Sequence, residues 1–180
     1  MKNSMAKPLS ISYIRSVATV IRKLLKISND KYIDTTKILD DLCFVLRRFN
    51  FNYLIVPDCN PFFEENEEAK TDIATGTIYI KESVFLEASH KRYCRAHFTI
   101  GHEIGHFVLH CALGLMSYAR TSSPKKRKPF ENPEWQANTF ASELLMPYEE
   151  CLSLSPKEIK RKYHVTLSAA TTRYNKIHQS

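Results

Sequence analysis

The sequence has no apolar run long enough to span a membrane and no CxxC pair among its five cysteines. It also shows no internal repeat and no low-complexity tract. Each absence removes a class of protein. Without a long apolar run there is no transmembrane helix. The amphipathic stretch SYIRSVATVIRKLLK is no secretory signal either, because basic residues interrupt it and no small-residue cleavage site follows. Cys43, Cys59, Cys94, Cys111 and Cys151 are scattered and odd in number, which excludes a disulfide scaffold and a cysteine-based zinc site. A cytoplasmic protein without membrane attachment is therefore expected, and a chain of 180 residues is long enough for one domain with its own core.

A net charge of +7 raises the question of nucleic acid, but the charge is spread along the chain apart from Lys125, Lys126, Arg127 and Lys128. That run reads as a solvated loop, and direct nucleic-acid binding is not the favoured reading.

The pattern of apolar residues predicts an α+β fold. Residues 1–10 read as a frayed tail. Ile14, Val17, Ala18, Ile21, Leu24 and Leu25 then predict an amphipathic helix ending near Ser28. A second helix is expected from an Asp34 N-cap, placing Ile38 to Phe49 on one face, followed by a buried strand at NYLIVPD stopped by Pro57. Residues 59–73 read as an acidic loop. Residues 77–80 form a β-prone segment, TIYI, which as an exposed edge would take up an extended segment by strand addition, with a short helix at 83–88. One helix is predicted over 91–111, a mobile loop over 117–131, a helix from Pro133 to Pro147, and two short closing helices broken near Val165. The closing pair faintly suggests a helix-turn-helix, but a terminal packing arm is the favoured reading. The expected organisation is a tail and helix over 1–30, a core over 31–150, and a helical segment over 151–180.

What the chain does have is HFTIGHEIGHFVLH, residues 97–110, with four of its seven histidines. Within it, His102-Glu103-Ile104-Gly105-His106 is HExxH. Two histidines four apart share one helix face and can reach one ion, while Glu103 stands beside that ion as a general base. Zinc suits the pair because it takes imidazole nitrogen and keeps an open position for water. The segment is otherwise apolar, so burying these polar groups without a partner would be costly.

A third ligand is needed. Glu134, in PEWQANTF, is the placement favoured here, with Asn138 one turn on to support a ligating histidine. Glu131 and Glu143 are its rivals. His110 lies a turn beyond the pair and is expected to contact rather than ligate, and His97 to be a satisfied structural histidine. Tyr93, Tyr118, Tyr148, His97 and His178 are all candidates for stabilising an oxyanion. A different class also fits three ligands: a non-catalytic, zinc-stabilised module that grips a regulator or DNA. Glu103 discriminates against it, since a structural site needs no base and usually closes with four ligands.

FTIGHEIGHFVLH followed by EWQANTFASELLMP closely resembles the ImmA/IrrE family of bacterial metallopeptidases. KYIDTTKILDDL, NYLIVPD and YHVTLSAATTRYNKI extend the likeness over roughly residues 30–178. The resemblance implies a minimal thermolysin-like (zincin) fold, a small twisted sheet packed on the HExxH helix and a Glu-bearing helix. It implies one Zn2+ per chain held by His102, His106 and Glu134, with Glu103 as catalytic base and Asn138 as support. Members of that family typically cut one site in a helix-turn-helix repressor and so relieve repression of stress or mobile-element genes. Others pair with such a regulator in toxin–antitoxin-like modules. The helix ahead of residue 30 and the SSPKKRKP loop depart from the usual pattern. The oligomeric state is left open.

Overall fold

The structure, a computed structural model, describes residues 5–90, 95–117 and 128–178. It is an α+β fold of the small zincin-like type, with eight α-helices among those residues and a three-stranded sheet. No helix among them is long and apolar enough to cross a membrane.

The first described residues are not a tail. Met5–Ala6 (β1) pairs antiparallel with Met116–Ser117 (β5), Lys7 N–H donates to the Leu115 carbonyl, and Ala6 and Leu9 are buried. Helix α1 (Ile11–Leu24) starts at Ser10, whose hydroxyl accepts from Tyr13 N–H at 3.1 Å. This capping satisfies one of the amide groups that the first turn leaves unpaired. The helix buries Ile14, Ala18 and Ile21 together with Arg22. The Arg22 guanidinium donates to the Leu144, Ser28 and Lys31 carbonyls, so a charge inside the core is held by backbone acceptors from a later helix and from the turn after α1.

The second helix, α2, begins at Ile38 rather than at Asp34 and ends at Val45. The Asp34 carboxylate instead accepts from the amide and the hydroxyl of Thr36, an Asx-type turn that competes with helix at 35–37. Next comes β2 (Asn52–Val56), which runs parallel to β4 (Thr77–Lys81); β3 (Ala69–Asp72) runs antiparallel to β4. The order β2-β4-β3 corrects two expectations. The acidic stretch before residue 73 ends in a strand, and the TIYI segment is the central strand, not an edge. Ile78 and Ile80 are fully buried, whereas Leu54 and Ile55 on the outer strand β2 are exposed. The expected burial of NYLIVPD is corrected as well: β2 lies at the margin of the sheet, with Tyr53 and Val56 half-buried and none of its residues fully buried.

Helix α3 (Glu82–His90) follows β4 directly. The predicted long helix starts at Ala96, as α4 (Ala96–His106), and continues as a wider π-helix over Phe107–Ala112. Residues 91–94 and 118–127, which include Tyr93, Tyr118, Cys94 and three of the four residues of the basic run, lie outside the described residues. Further on, α5 (Pro133–Leu145) packs along α4 and α1. Short α6 (Tyr148–Cys151), α7 (Pro156–Tyr163) and α8 (Leu167–His178) complete the fold. Ile159, Tyr163, Ala170 and Ile177 from the last two helices join the same core as Ile14, Leu39, Ile100 and Phe140.

Gly105 sets how closely α4 and α5 approach. A Cβ there would sit 3.0 Å from the Phe140 ring and 3.1 Å from the Ala137 carbonyl oxygen. A methyl group would have to push the helices apart by a few tenths of an ångström, so the glycine lets α5 lie close against the histidine-bearing helix α4.

Candidate metal centre

Helix α4 turns His102 and His106 to one side, as a four-residue spacing requires. Helix α5 delivers the third group. Asn132 caps its N-terminus by accepting from Glu134 N–H at 2.9 Å, and Pro133 occupies the first turn, where a missing N–H costs nothing. Glu134 therefore projects from the positive end of the helix towards α4. His102 Nε2 lies 2.9 Å from His106 Nε2 and 3.2 Å from Glu134 Oε2, and His106 Nε2 lies 3.4 Å from the same oxygen. Four ligands at zinc bond lengths stand about 3.3 Å from one another in a tetrahedron. The observed spacings bracket that value, so these three groups could hold one metal ion.

The surrounding hydrogen bonds fit the same reading. His102 Nδ1 is 3.1 Å from Asn138 Oδ1, an acceptor for a hydrogen on Nδ1, so Nε2 is the nitrogen turned to Glu134 and His106. On the far side of the second histidine, His106 Nδ1 is 3.1 Å from His110 Nδ1. His110 is thus a contact of His106 and not one of the converging atoms. Its own Nε2 meets Gln136 Oε1 at 3.0 Å.

Charge follows from this layout. The two imidazoles hold the Glu134 carboxyl far below the ordinary carboxylate range, through hydrogen bonds from His102 first and His106 second. Burial resists protonation of His102, but Glu134 and Glu103 outweigh it and raise its pKa. Burial pushes His110 down to about 4, so at neutral pH it is an uncharged imidazole. The site is a carboxylate facing two basic nitrogens, an arrangement that a divalent cation satisfies better than a shared proton.

Glu103 sits beside the cluster without joining it. Its Oε1 is 4.0 Å from His102 Nε2, and its Oε2 accepts from the Thr71 hydroxyl at 2.7 Å. The same hydroxyl is 3.1 Å from the Glu103 main-chain carbonyl oxygen. Thr71 belongs to β3, so the outer strand of the sheet on this side carries the residue that orients Glu103. Two hollows flank the cluster. One, of about 310 Å³, is lined by Ala69, His102 and Glu103; the other, of about 570 Å³, by Glu134, Leu145, Met146 and Ala169. They share Arg95, Phe98 and Asn138 and so form one trough across the cluster.

The remaining predicted residues fall elsewhere. Glu131 folds back on Lys128 N–H at 3.4 Å, and Glu143 is tied to Arg173 and Arg15, so neither rival reaches the cluster. His97 is buried between the Tyr32 hydroxyl (3.0 Å) and the Thr35 hydroxyl (2.9 Å), a structural histidine on the trough wall. Tyr148 lies under the Arg15 guanidinium, and His178 stacks on Tyr174. His164 is half-buried, its ring tilted against that of Tyr32 with centroids 4.4 Å apart. Arg173, on the closing helix that faintly suggested a recognition helix, is 5% exposed and bound to Glu143.

Thr71 and Gln136 are the site residues that sequence reasoning missed. Thr71 was hidden in a polar stretch with no β signal. For Gln136, the only available sign was a polar residue on an otherwise apolar face of a predicted helix.

Residues 57–175 of the chain match the family described as the IrrE N-terminal-like domain, peptidase M78, and the chain belongs to that family of metallopeptidases. No curated protein matches it.

Proposed function

We propose, from that membership and this geometry, that the protein is a zinc-dependent endopeptidase that cuts a protein substrate at one site, with a helix-turn-helix repressor or antitoxin as the substrate. The observation that carries the reading is Glu103: a buried carboxylate, held by Thr71, beside three converging ligand atoms but not among them. A site built only for structure has no use for that group, which counts against a non-catalytic zinc-stabilised module.

His102, His106 and Glu134 would hold the ion, and Asn138 would orient His102. Zinc bound there would supply a Lewis acid that polarises the scissile carbonyl and acidifies a water. Glu103 then accepts the proton of the attacking water and returns it to the leaving amine. Thr71 keeps the carboxylate aimed throughout. With β4 central, strand addition shifts to β3: an extended substrate segment laid along Ala69–Asp72 would pass over Glu103 and along the trough. This demands an unfolded stretch, so a folded repressor would be cut at a linker.

The test is intact-mass spectrometry of the helix-turn-helix protein encoded nearest this gene, co-expressed with wild type or with Glu103→Gln. The expected result is one pair of fragments with wild type and none with the variant, which keeps the zinc and loses about 10²–10⁴ in rate. An intact repressor with both proteins, under conditions where wild type carries zinc, would reject it as the substrate.

A further inference from the structure

The hydrogen bonds behind His106 determine which of its nitrogens carries the proton, and the deduction starts from backbone. Gln136 Nε2 lies 2.8 Å from the Lys7 carbonyl oxygen and 2.7 Å from that of Phe130. Carbonyls only accept, so this atom is the amide nitrogen with both hydrogens engaged, and Oε1 is turned to His110. At 3.0 Å, Oε1 can only accept, which puts a hydrogen on His110 Nε2.

Two assignments remain for the bond between His106 Nδ1 and His110 Nδ1. If His110 donated, it would carry hydrogens on both nitrogens and be a cation, 2% exposed, with no carboxylate among its ring's hydrogen-bond partners. That is a costly burial. If His106 donates, both nitrogens of His110 and every polar atom of the Gln136 amide are satisfied with no buried charge. His106 Nδ1 then holds the hydrogen, and Nε2 is the nitrogen turned to His102 and Glu134, the one that can give its lone pair to an ion in place of a proton.

We propose that His110 and Gln136 are positioning residues of the metal site: anchored on the Lys7 and Phe130 carbonyls, they hold His106 in the one tautomer and ring orientation that can bind the ion. The proposal rests on the zinc reading above. The relay lies wholly in the interior, with His106 at 3%, His110 at 2% and Gln136 at 0% exposure. Apolar side chains would fill that space at lower risk, because a buried polar network is useful only when every member is satisfied. This one is satisfied end to end. It also joins three parts of the chain: the π-helix after α4, the first turn of α5, and the segment that follows β1.

Two substitutions at one position separate this role from simple packing. In His110→Asn the introduced amide presents its Oδ1 where the imidazole presents Nδ1, because both atoms are bonded to Cγ. This variant therefore keeps an acceptor for His106 while losing the link to Gln136. His110→Leu loses both. The metal-free stability of the two variants should fall by similar amounts, read as urea midpoints. Zinc affinity, read by competition with a chromophoric chelator, should split them. His110→Leu is expected to bind about 10–100-fold more weakly than wild type, and His110→Asn close to wild type.

Equal affinity of His110→Leu and wild type would overturn the proposal. So would a loss shared by both variants in step with their midpoints. Should His110→Leu not fold, Gln136→Met reads the outer link, since it frees His110 to place its hydrogen on Nδ1 against His106. Its zinc affinity should fall by about tenfold, and wild-type affinity would again overturn the proposal. Glu134→Ala serves as the reference. If it binds zinc no worse than wild type, the zinc reading itself fails and takes the relay with it. If it loses zinc while His110→Leu does not, only the relay fails.

Discussion

Helix α5 carries two glutamates that end in opposite conditions. Glu143 is 2% exposed and receives two guanidinium nitrogens of Arg173 at 2.9 and 2.7 Å, with Arg15 adding two longer contacts at 3.3 and 3.4 Å. Glu134, with half its side chain exposed, faces only two imidazoles. The cations around Glu143 are permanent, so its charge is fully answered by the protein, and the group ties α1, α5 and α8 together. The imidazoles around Glu134 carry no permanent charge and, if they hold an ion, leave the charge of Glu134 for that ion to answer. Acidity, helix and family segment are shared; the difference lies in whether the counter-charge comes from the fold.

Removing each carboxylate should break the comparison in opposite ways. Glu134→Ala is expected to purify without bound zinc and to show no peptide cleavage above background, while its metal-free urea midpoint stays near that of wild type. Metal analysis and denaturation on one sample decide it. Glu143→Ala should do the reverse: stability falls by about 3–5 kcal/mol because Arg173 is left as a buried, uncompensated cation, yet the folded fraction still takes up zinc. Against a total stability of about 5–15 kcal/mol, that loss is severe, and calorimetry would show it. A Glu143→Ala protein as stable as wild type would mean that solvent answers those charges after all.

Acid sharpens the contrast between the imidazoles. The folded pKa of His110 is about 4, below the ordinary 6.5, so the fold favours its neutral form. Its contribution is complete above 6.5 and is lost as pH falls from 6.5 towards 4. A shift of that size corresponds to about 3 kcal/mol. Metal-free wild type should therefore lose stability faster than metal-free His110→Asn across that window, as measured by urea midpoints at successive pH values. The smallest effect is expected at the helix crossing. Gly105→Ala should cost about 1–3 kcal/mol by forcing α4 from α5, and should weaken zinc binding because Glu134 moves with α5.

How much of this was legible in the sequence follows from how local each signal is. His102, Glu103 and His106 share one helix, where spacing alone decides the face. Glu134 and Asn138 repeat the same rule one helix later. By contrast, Ala69–Asp72 contains Lys70 and Asp72, which mask its two inward positions, and a four-residue strand has too few alternations to show a period. The role of the TIYI segment depended on that hidden strand: without β3, β4 looks like an edge. Asp34 was read as a helix cap because its turn with Thr36 uses the same chemistry. The tail at 5–9 was illegible for a different reason, since its partners at 115, 130 and 136 are distant in sequence and carry no pattern of their own.

That last feature bears on the order in which the molecule is made. During synthesis Lys7 leaves the ribosome long before Gln136, its partner 129 positions later, exists. Glu134 arrives at almost the same late moment. The support behind one candidate ligand and the third candidate ligand are therefore supplied by a single late segment, after both histidines have been made. A nascent chain that stops before α5 holds neither. The peptidase site cannot be completed on an unfinished chain, and a truncated product would be released without the means to cut.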